Sequence, residues 1–208
     1  IYYFPLHLMN LLAFSFVSAL LISTFLIIQL LYMFDQTGSG KPRRFFRDTH
    51  IEETSHFGGI GIGLGFLITV TLVWGISSFT KISLEKPIGI FLIGGLGTLL
   101  LGSADDLLNI RARYKLTGQI LIASFFTFYG FYVERMDWPL FGVLELGKVG
   151  IPLTIFWIVG MMNAINLVDC LDGLASGLSI IGLTFLFVLS VYFENLTTSL
   201  LCIALIGS

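Results

Sequence analysis

The sequence predicts an all-α protein, a polytopic transmembrane helical bundle of about six complete spans plus a truncated seventh, forming a single transmembrane domain over 1–208. Three observations predict it. Of the residues, 56% are hydrophobic and only 12% charged, against about 25% charged in an ordinary soluble domain. The apolar residues fall in long runs, near the roughly 20 helical residues that cross a hydrocarbon core about 30 Å thick. Lysine and arginine lie between those runs and favour alternate connections, as orientation in a bilayer requires.

The runs are read as spans near 8–34, 57–79, 88–104, 116–133, 150–168 and 176–193, with a seventh beginning near 197. The first is too long for the apolar core of a signal peptide and has neither a basic leader nor a small-residue cleavage site. It is therefore read as a span. The chain opens on Ile1 and stops at Ser208 inside the last apolar run, so both ends read as those of a fragment.

Orientation follows from the connections. The segment 35–56 carries Lys41, Arg43, Arg44 and Arg47, and 105–115 carries Arg111, Arg113 and Lys115, seven cations in all. The other side has four: Lys81, Lys86, Arg135 and Lys148. The larger set is expected in the cytoplasm. The connection 134–149 then lies outside as an interfacial turn or short hairpin, with Trp138 at headgroup level. The formal charge of −2 gives no sign of a nucleic-acid partner. Cys170 and Cys202 form no CxxC motif, which indicates neither a zinc site nor a disulfide framework.

This alternation gathers the remaining polar residues at one face. Asp105 and Asp106 follow the third span; Asn163, Asn166, Asp169 and Asp172 lie where the fifth gives way to the sixth. Ionisable groups at membrane depth are costly and usually functional. Adjacent carboxylates repel unless a cation or base compensates, which suits a metal or a proton acceptor. The plainer alternative is a solvated pair at a helix start, where acids are favoured.

The stretch NAINLVDCLDGLASG is harder to explain by packing. Its Asn163, Asn166, Asp169 and Asp172 recur every three residues, so neighbours share a slowly drifting helical row. Tightening toward a three-residue turn would bring more of the four together. Gly173 and Gly177 then permit a turn or a close backbone approach. Polar bonds between membrane helices average only about 0.6 kcal/mol, a weak reason to keep four such groups ending in two acids. The basic segment 35–59, with His50, His56 and the entry glycines Gly58 and Gly59, suits phosphate binding at a helix start. It equally suits topology or anionic lipid.

With these residues in place, the chain resembles the polyprenyl-phosphate N-acetylhexosamine-1-phosphate transferases. The matching residues are Gly58-Gly59 after a basic loop, Asp105-Asp106 followed by Lys115 and Gln119, and the row from Asn163 through Asp172-Gly173 to Gly177. The short spacing from Asp106 to Lys115 looks most like the bacterial undecaprenyl-phosphate GlcNAc-1-phosphate group. The resemblance implies an enzyme of the bacterial inner membrane, acting at its cytoplasmic face. It would transfer sugar-1-phosphate from a UDP-sugar to undecaprenyl phosphate, release UMP, and begin lipid-linked cell-envelope glycans such as lipopolysaccharide or cell wall. It implies Asp105 as base with Asp106 beside it, and Lys115 on phosphate. Asn163, Asn166, Asp172 and Gly173 would bind substrate, Asp169 would act in catalysis, and Asp106 and Asp169 would hold Mg2+. A homodimer is left open.

Three departures limit that reading. Cys170 stands where the family usually has glycine, and Ser55 where proline is common. The chain also stops before a later Gly-Asp metal motif and a histidine-rich loop of the family, so the fragment alone is expected to be inactive. A transporter or a non-catalytic membrane scaffold is the competing class. Transporters, however, tend to hold such groups near mid-bilayer at internal repeats.

Overall fold

The computed structural model describes residues 6–37, 58–80, 84, 88–138, 142–169 and 173–208. They form α1 (Leu6–Thr37), α2 (Gly58–Thr80), α3 (Ile88–Leu108), α4 (Ala112–Phe128), β1 (Arg135–Trp138), β2 (Gly142–Glu145), a 3-10 turn (Gly147–Val149), α5 (Gly150–Val168), α6 (Leu174–Tyr192) and α7 (Leu196–Gly207). Five helical segments are long and apolar enough to cross a membrane: Leu6–Met33, Gly58–Thr80, Ile88–Leu108, Gly147–Val168 and Leu174–Tyr192. The chain is thus an all-α, multi-pass membrane helical bundle. The expected fourth span, 116–133, is not among these five, because α4 is only 17 residues long and carries polar residues. This helix starts at Ala112, taking the polar ARYK into its first turn, and ends at Phe128, with Gly130 at φ +85° just beyond.

The chain divides into two compact units, Ile1–Leu99 with Ser176–Ser208, and Leu100–Ala175. In the first, α1 packs on α2 and on α7. Lipid is as apolar as leucine, so helices here gain from close backbone approach rather than from leaving water. Small residues supply it. Ser15, Ala19 and Ser23 of α1 and Gly61, Gly65, Thr69 and Ser77 of α2 are buried at four- or eight-residue intervals, while Leu21, Phe25 and Ile28 point outward. A β-carbon on Gly65 would come 2.8 Å from Ser23 Cα. At one end of the seam, Ser23 Oγ donates to the Ser208 carbonyl. At the other, Leu11, Leu12, Val73, Leu196 and Leu200 form an apolar cluster.

The start of α7 is built by its own residues. Asn195 Oδ1 accepts the Thr198 N–H at 2.9 Å, an N-cap that satisfies one otherwise orphaned donor. Thr197 is buried and Ser199 Oγ lies 2.8 Å from Ser190 Oγ. Asn195 thus serves as the N-cap of α7.

In the second unit, α3 ends with Asn109 in the left-handed region at φ +48°, its N–H bonded to the Asp105 carbonyl at 2.9 Å. Asparagine tolerates that conformation better than most residues. Three residues, Asn109–Arg111, then suffice to reverse the chain into α4. Beyond α4 comes the expected hairpin, Arg135 pairing with Glu145 and Trp138 with Gly142. Alternation places Met136, Trp138 and Leu144 on one face and Arg135, Asp137 and Glu145 on the other. The hairpin base is tied to α5: the Val133 N–H donates to Thr154 Oγ1 at 3.0 Å, and Thr154 Oγ1 donates to the Gly150 carbonyl at 2.7 Å. The returning α5 packs antiparallel on α4.

Candidate active site

Three elements of the second unit place polar side chains together. Asp105 sits in the last turn of α3, Lys115 in the first turn of α4, and Asn166 in the last turn of α5. The Lys115 ammonium donates to Asp105 Oδ2 at 2.6 Å and to Asn166 Oδ1 at 3.1 Å. Both charged side chains are about four-fifths buried, Lys115 at 20% and Asp105 at 22% exposure. The compensating cation that a pair of adjacent carboxylates calls for is therefore Lys115, ten residues on from Asp105.

A second contact lies one turn along the same two helices. Asn163 Nδ2 donates to Gln119 Oε1 at 2.8 Å and to the Val159 carbonyl at 2.8 Å, while Gln119 Nε2 reaches Asn163 Oδ1 at 3.5 Å. Gln119 is only 2% exposed. Such a buried amide costs stability unless it is paired, and here it is.

The polar row on α5 does not straighten. The Asp169 N–H bonds the Ile165 carbonyl at 3.1 Å, an α-type bond, so the helix keeps its ordinary winding through Val168. Each three-residue step then rotates by about 60°, and the row splits instead of converging. Asn163 and Asn166 meet α4, while Asp169 is the exposed residue that ends the helix, at φ −73° and ψ +35°. Gly173 follows in the left-handed region at φ +75° and leads into α6. Asp106 is exposed beside Asp105. Asp172 and Cys170 lie outside the described residues, as do Ser55, His50, His56 and the cations of the segment 38–57.

Asp105, Lys115 and Asn166, all singled out in the sequence, lie side by side where α3, α4 and α5 end or begin. It did not reveal that Asn163 spends its amide on Gln119. The available signal was the four-residue spacing of Lys115 and Gln119, which puts both on one face of α4. Among the described residues no three His, Cys, Asp or Glu side chains gather into a metal site.

The glycosyl transferase family 4 model matches residues 88–208, more than half of the chain and all of the site just described. The chain is similar to a probable undecaprenyl-phosphate N-acetylglucosaminyl 1-phosphate transferase of Bacillus subtilis, 37% identical over 139 residues, covering 66% of this chain and 37% of that protein. It is also 34% identical over 172 residues to a phospho-N-acetylmuramoyl-pentapeptide-transferase of a Thermoanaerobacter species, covering 76% of this chain and 52% of the relative. A phospho-N-acetylmuramoyl-pentapeptide-transferase of Listeria monocytogenes is 35% identical over 104 residues, with 48% and 32% covered. The chain spans about half or less of the length of each of these relatives. With the matched segment carrying Asp105, Lys115, Gln119, Asn163 and Asn166 together, the chain belongs to glycosyl transferase family 4, in the company of polyprenyl-phosphate hexosamine-1-phosphate transferases.

Proposed function

We propose that this protein transfers a sugar-1-phosphate from a UDP-sugar to undecaprenyl phosphate at the cytoplasmic membrane surface, releasing UMP. The observation that carries this reading is the Lys115 ammonium held between Asp105 Oδ2 and Asn166 Oδ1. An ammonium has three N–H donors, and these contacts use two. The third can take a phosphate oxygen without dismantling the cluster. A lipid phosphate held there lies next to a carboxylate able to accept its proton.

In the reaction, an oxygen of the lipid phosphate forms a bond to the sugar-proximal phosphorus of the donor. The bond from that phosphorus to the bridging oxygen breaks, and UMP departs with the electron pair. Asp105 takes the acidic proton of the lipid phosphate, and Lys115 holds phosphate charge in place. Fixed charges of this kind act where charge develops. The described donor set, carboxylates with an asparagine carbonyl, consists of hard oxygens, and Mg2+ commonly binds through one or two carboxylates plus substrate phosphates. Asp106 and Asp169 would hold it. When bound it supplies neutralisation of the diphosphate and the leaving phosphate.

GlcNAc-1-phosphate is the leading transferred group. The short Asp106-to-Lys115 spacing and the Bacillus subtilis relative support it, whereas other relatives are named for phospho-N-acetylmuramoyl-pentapeptide. Placement of the polar cluster in terminal helical turns supports group transfer at the membrane surface over transport through mid-bilayer sites. The test uses the full-length protein in membranes with Mg2+, undecaprenyl phosphate, and radiolabelled UDP-GlcNAc or UDP-MurNAc-pentapeptide. Butanol-extractable label with UMP release is expected, greatest with UDP-GlcNAc. If neither donor yields a lipid product while the protein moves a solute across vesicles, the transferase reading is overturned.

A further inference from the structure

We infer that Gln119 and Asn163 form a positioning clasp, setting the register between α4 and α5 that delivers Lys115 to Asp105 and Asn166. This deepens the transferase reading and rests on it for its kinetic consequences. It also reassigns Asn163, which the sequence placed among substrate ligands.

The geometry gives the reason. Lys115 and Gln119 lie four residues apart on α4, and Asn163 and Asn166 three apart on α5, so each pair shares a face. The helices run antiparallel, and the contacts make two rungs: Gln119 with Asn163, and Lys115 with Asn166. Along the axes the rungs are about 6 Å apart on α4 and about 4.5 Å on α5, at 1.5 Å per residue. A slip of α5 by one turn, about 5.4 Å, would break both rungs at once and withdraw Asn166 from the ammonium.

The two rungs differ in chemistry. The flexible lysine stem can follow a moving partner, so the Lys115 rung defines register weakly. The amide rung pairs the buried Gln119 with Asn163, which is exposed, through a 2.8 Å bond to Gln119 Oε1 and a longer return contact from Gln119 Nε2 at 3.5 Å. Asn163 is also anchored to its own helix through the Val159 carbonyl. Both of its N–H donors are thereby spent, leaving only its carbonyl oxygen to offer a nucleotide. In an apolar bilayer the alternative to pairing is an unsatisfied amide, so the clasp selects one register among otherwise similar apolar contacts.

The test has two arms, both in the full-length protein in membranes. The first is independent of activity. In a background lacking other cysteines, the antiparallel register set by Gln119 and Asn163 places position 123 opposite 159, so Ala123→Cys with Val159→Cys should form a disulfide on mild oxidation. Adding Gln119→Leu should reduce that cross-link and raise the one from position 123 to a cysteine one turn away on α5, at Ile155. The swap Gln119→Asn with Asn163→Gln, which keeps both amides and their summed length, should restore the original cross-link where Val159→Cys is the partner.

The second arm measures turnover per folded molecule. Gln119→Leu should lower kcat by about tenfold to a hundredfold, the scale on which small misplacements act. KM for the UDP-sugar should stay unchanged, because the lost positioning concerns the lysine rather than donor binding. The swap should recover most of the loss. Gln119→Met, which keeps the side-chain length and removes both hydrogen-bonding groups, takes the place of Gln119→Leu if the latter does not fold, with the same expected effect.

An unchanged cross-link pattern in Gln119→Leu or Gln119→Met overturns the clasp. So does a rise in UDP-sugar KM without a register change, which would return Asn163 and Gln119 to donor binding. If the wild type turns over no donor at all, the transferase reading falls, and the cross-links still decide the clasp.

Discussion

Lys115 is the residue on which the candidate chemistry turns, because it touches both the acid of α3 and the amide of α5. Lys115→Met keeps most of the stem and removes the charge. It should lower kcat/KM by about a hundredfold or more, the scale seen when a single donor to developing charge is removed. Lys115→Arg should fall between the two, since a planar guanidinium cannot replace a point charge at a site fitted to an ammonium. Asp105→Asn keeps the size and the contact to Lys115 but cannot accept the lipid phosphate proton, and a loss of about 10²–10⁴ is expected. Asp169→Asn tests the metal role: its loss should be large and should not be rescued at saturating Mg2+. These comparisons require turnover per folded molecule, with Mg2+ titrated. Near-normal turnover in both Asn variants would show that these acids only pack. The acids and asparagines of this site were legible in the sequence because polar groups stand out in apolar helices. Gln119 was less so, since one more polar residue on a helix names no partner until the facing helix is placed.

At the scale of single helices, α2 shows what the sequence could and could not convey. Its existence follows from an apolar run of spanning length, and its bounds agree with the expected 57–79 to within a residue at each end. Its packing face does not follow, because a helix that is apolar all round carries no hydrophobic stripe. Only the structure distinguishes Gly65, pressed on the α1 backbone at Ser23, from Gly75, where an added β-carbon would meet no other element within 4 Å. The same substitution should therefore have opposite effects ten residues apart. Gly65→Ala forces α1 and α2 to separate and should cost about 1–3 kcal/mol, as overpacking generally does. Gly75→Ala removes a helix-weakening glycine and should be neutral or stabilising by up to about 1 kcal/mol. Thermal unfolding in detergent, followed by loss of monodisperse protein, reads both. If the two variants shift the midpoint alike, the close α1–α2 approach is wrong. The winding of α5 was likewise hidden from the sequence: a three-residue polar spacing fits either an α-helix or a tighter turn, and the Asp169 to Ile165 bond settles it as α.

For the molecule as a whole, the fold class and most helix positions were readable because spanning a bilayer imposes a length and a composition that few other structures share. Sidedness rests on a subtler signal, the seven cations of 35–56 and 105–115 against four on the other connections. Within the second unit the structure adds a constraint of its own. The Lys115–Asp105–Asn166 cluster lies at the α3–α4 turn, whereas the hairpin Arg135–Glu145 joins the opposite ends of α4 and α5. The two must therefore face opposite compartments if these helices cross. Single cysteines at Arg44, Asn109 and Ser176 should react with an impermeant maleimide only from the cytoplasmic side, in inverted vesicles, and cysteines at Asp137 and Val143 only from outside, in intact cells. The first group includes positions four residues in sequence beyond Asp105 and beyond Asp172. A UDP-sugar reaches the membrane from the cytoplasm, and one donor diphosphate cannot bridge a bilayer. Labelling of Asn109 and Ser176 from opposite sides would therefore separate the two clusters and remove the single site on which the transferase reading depends.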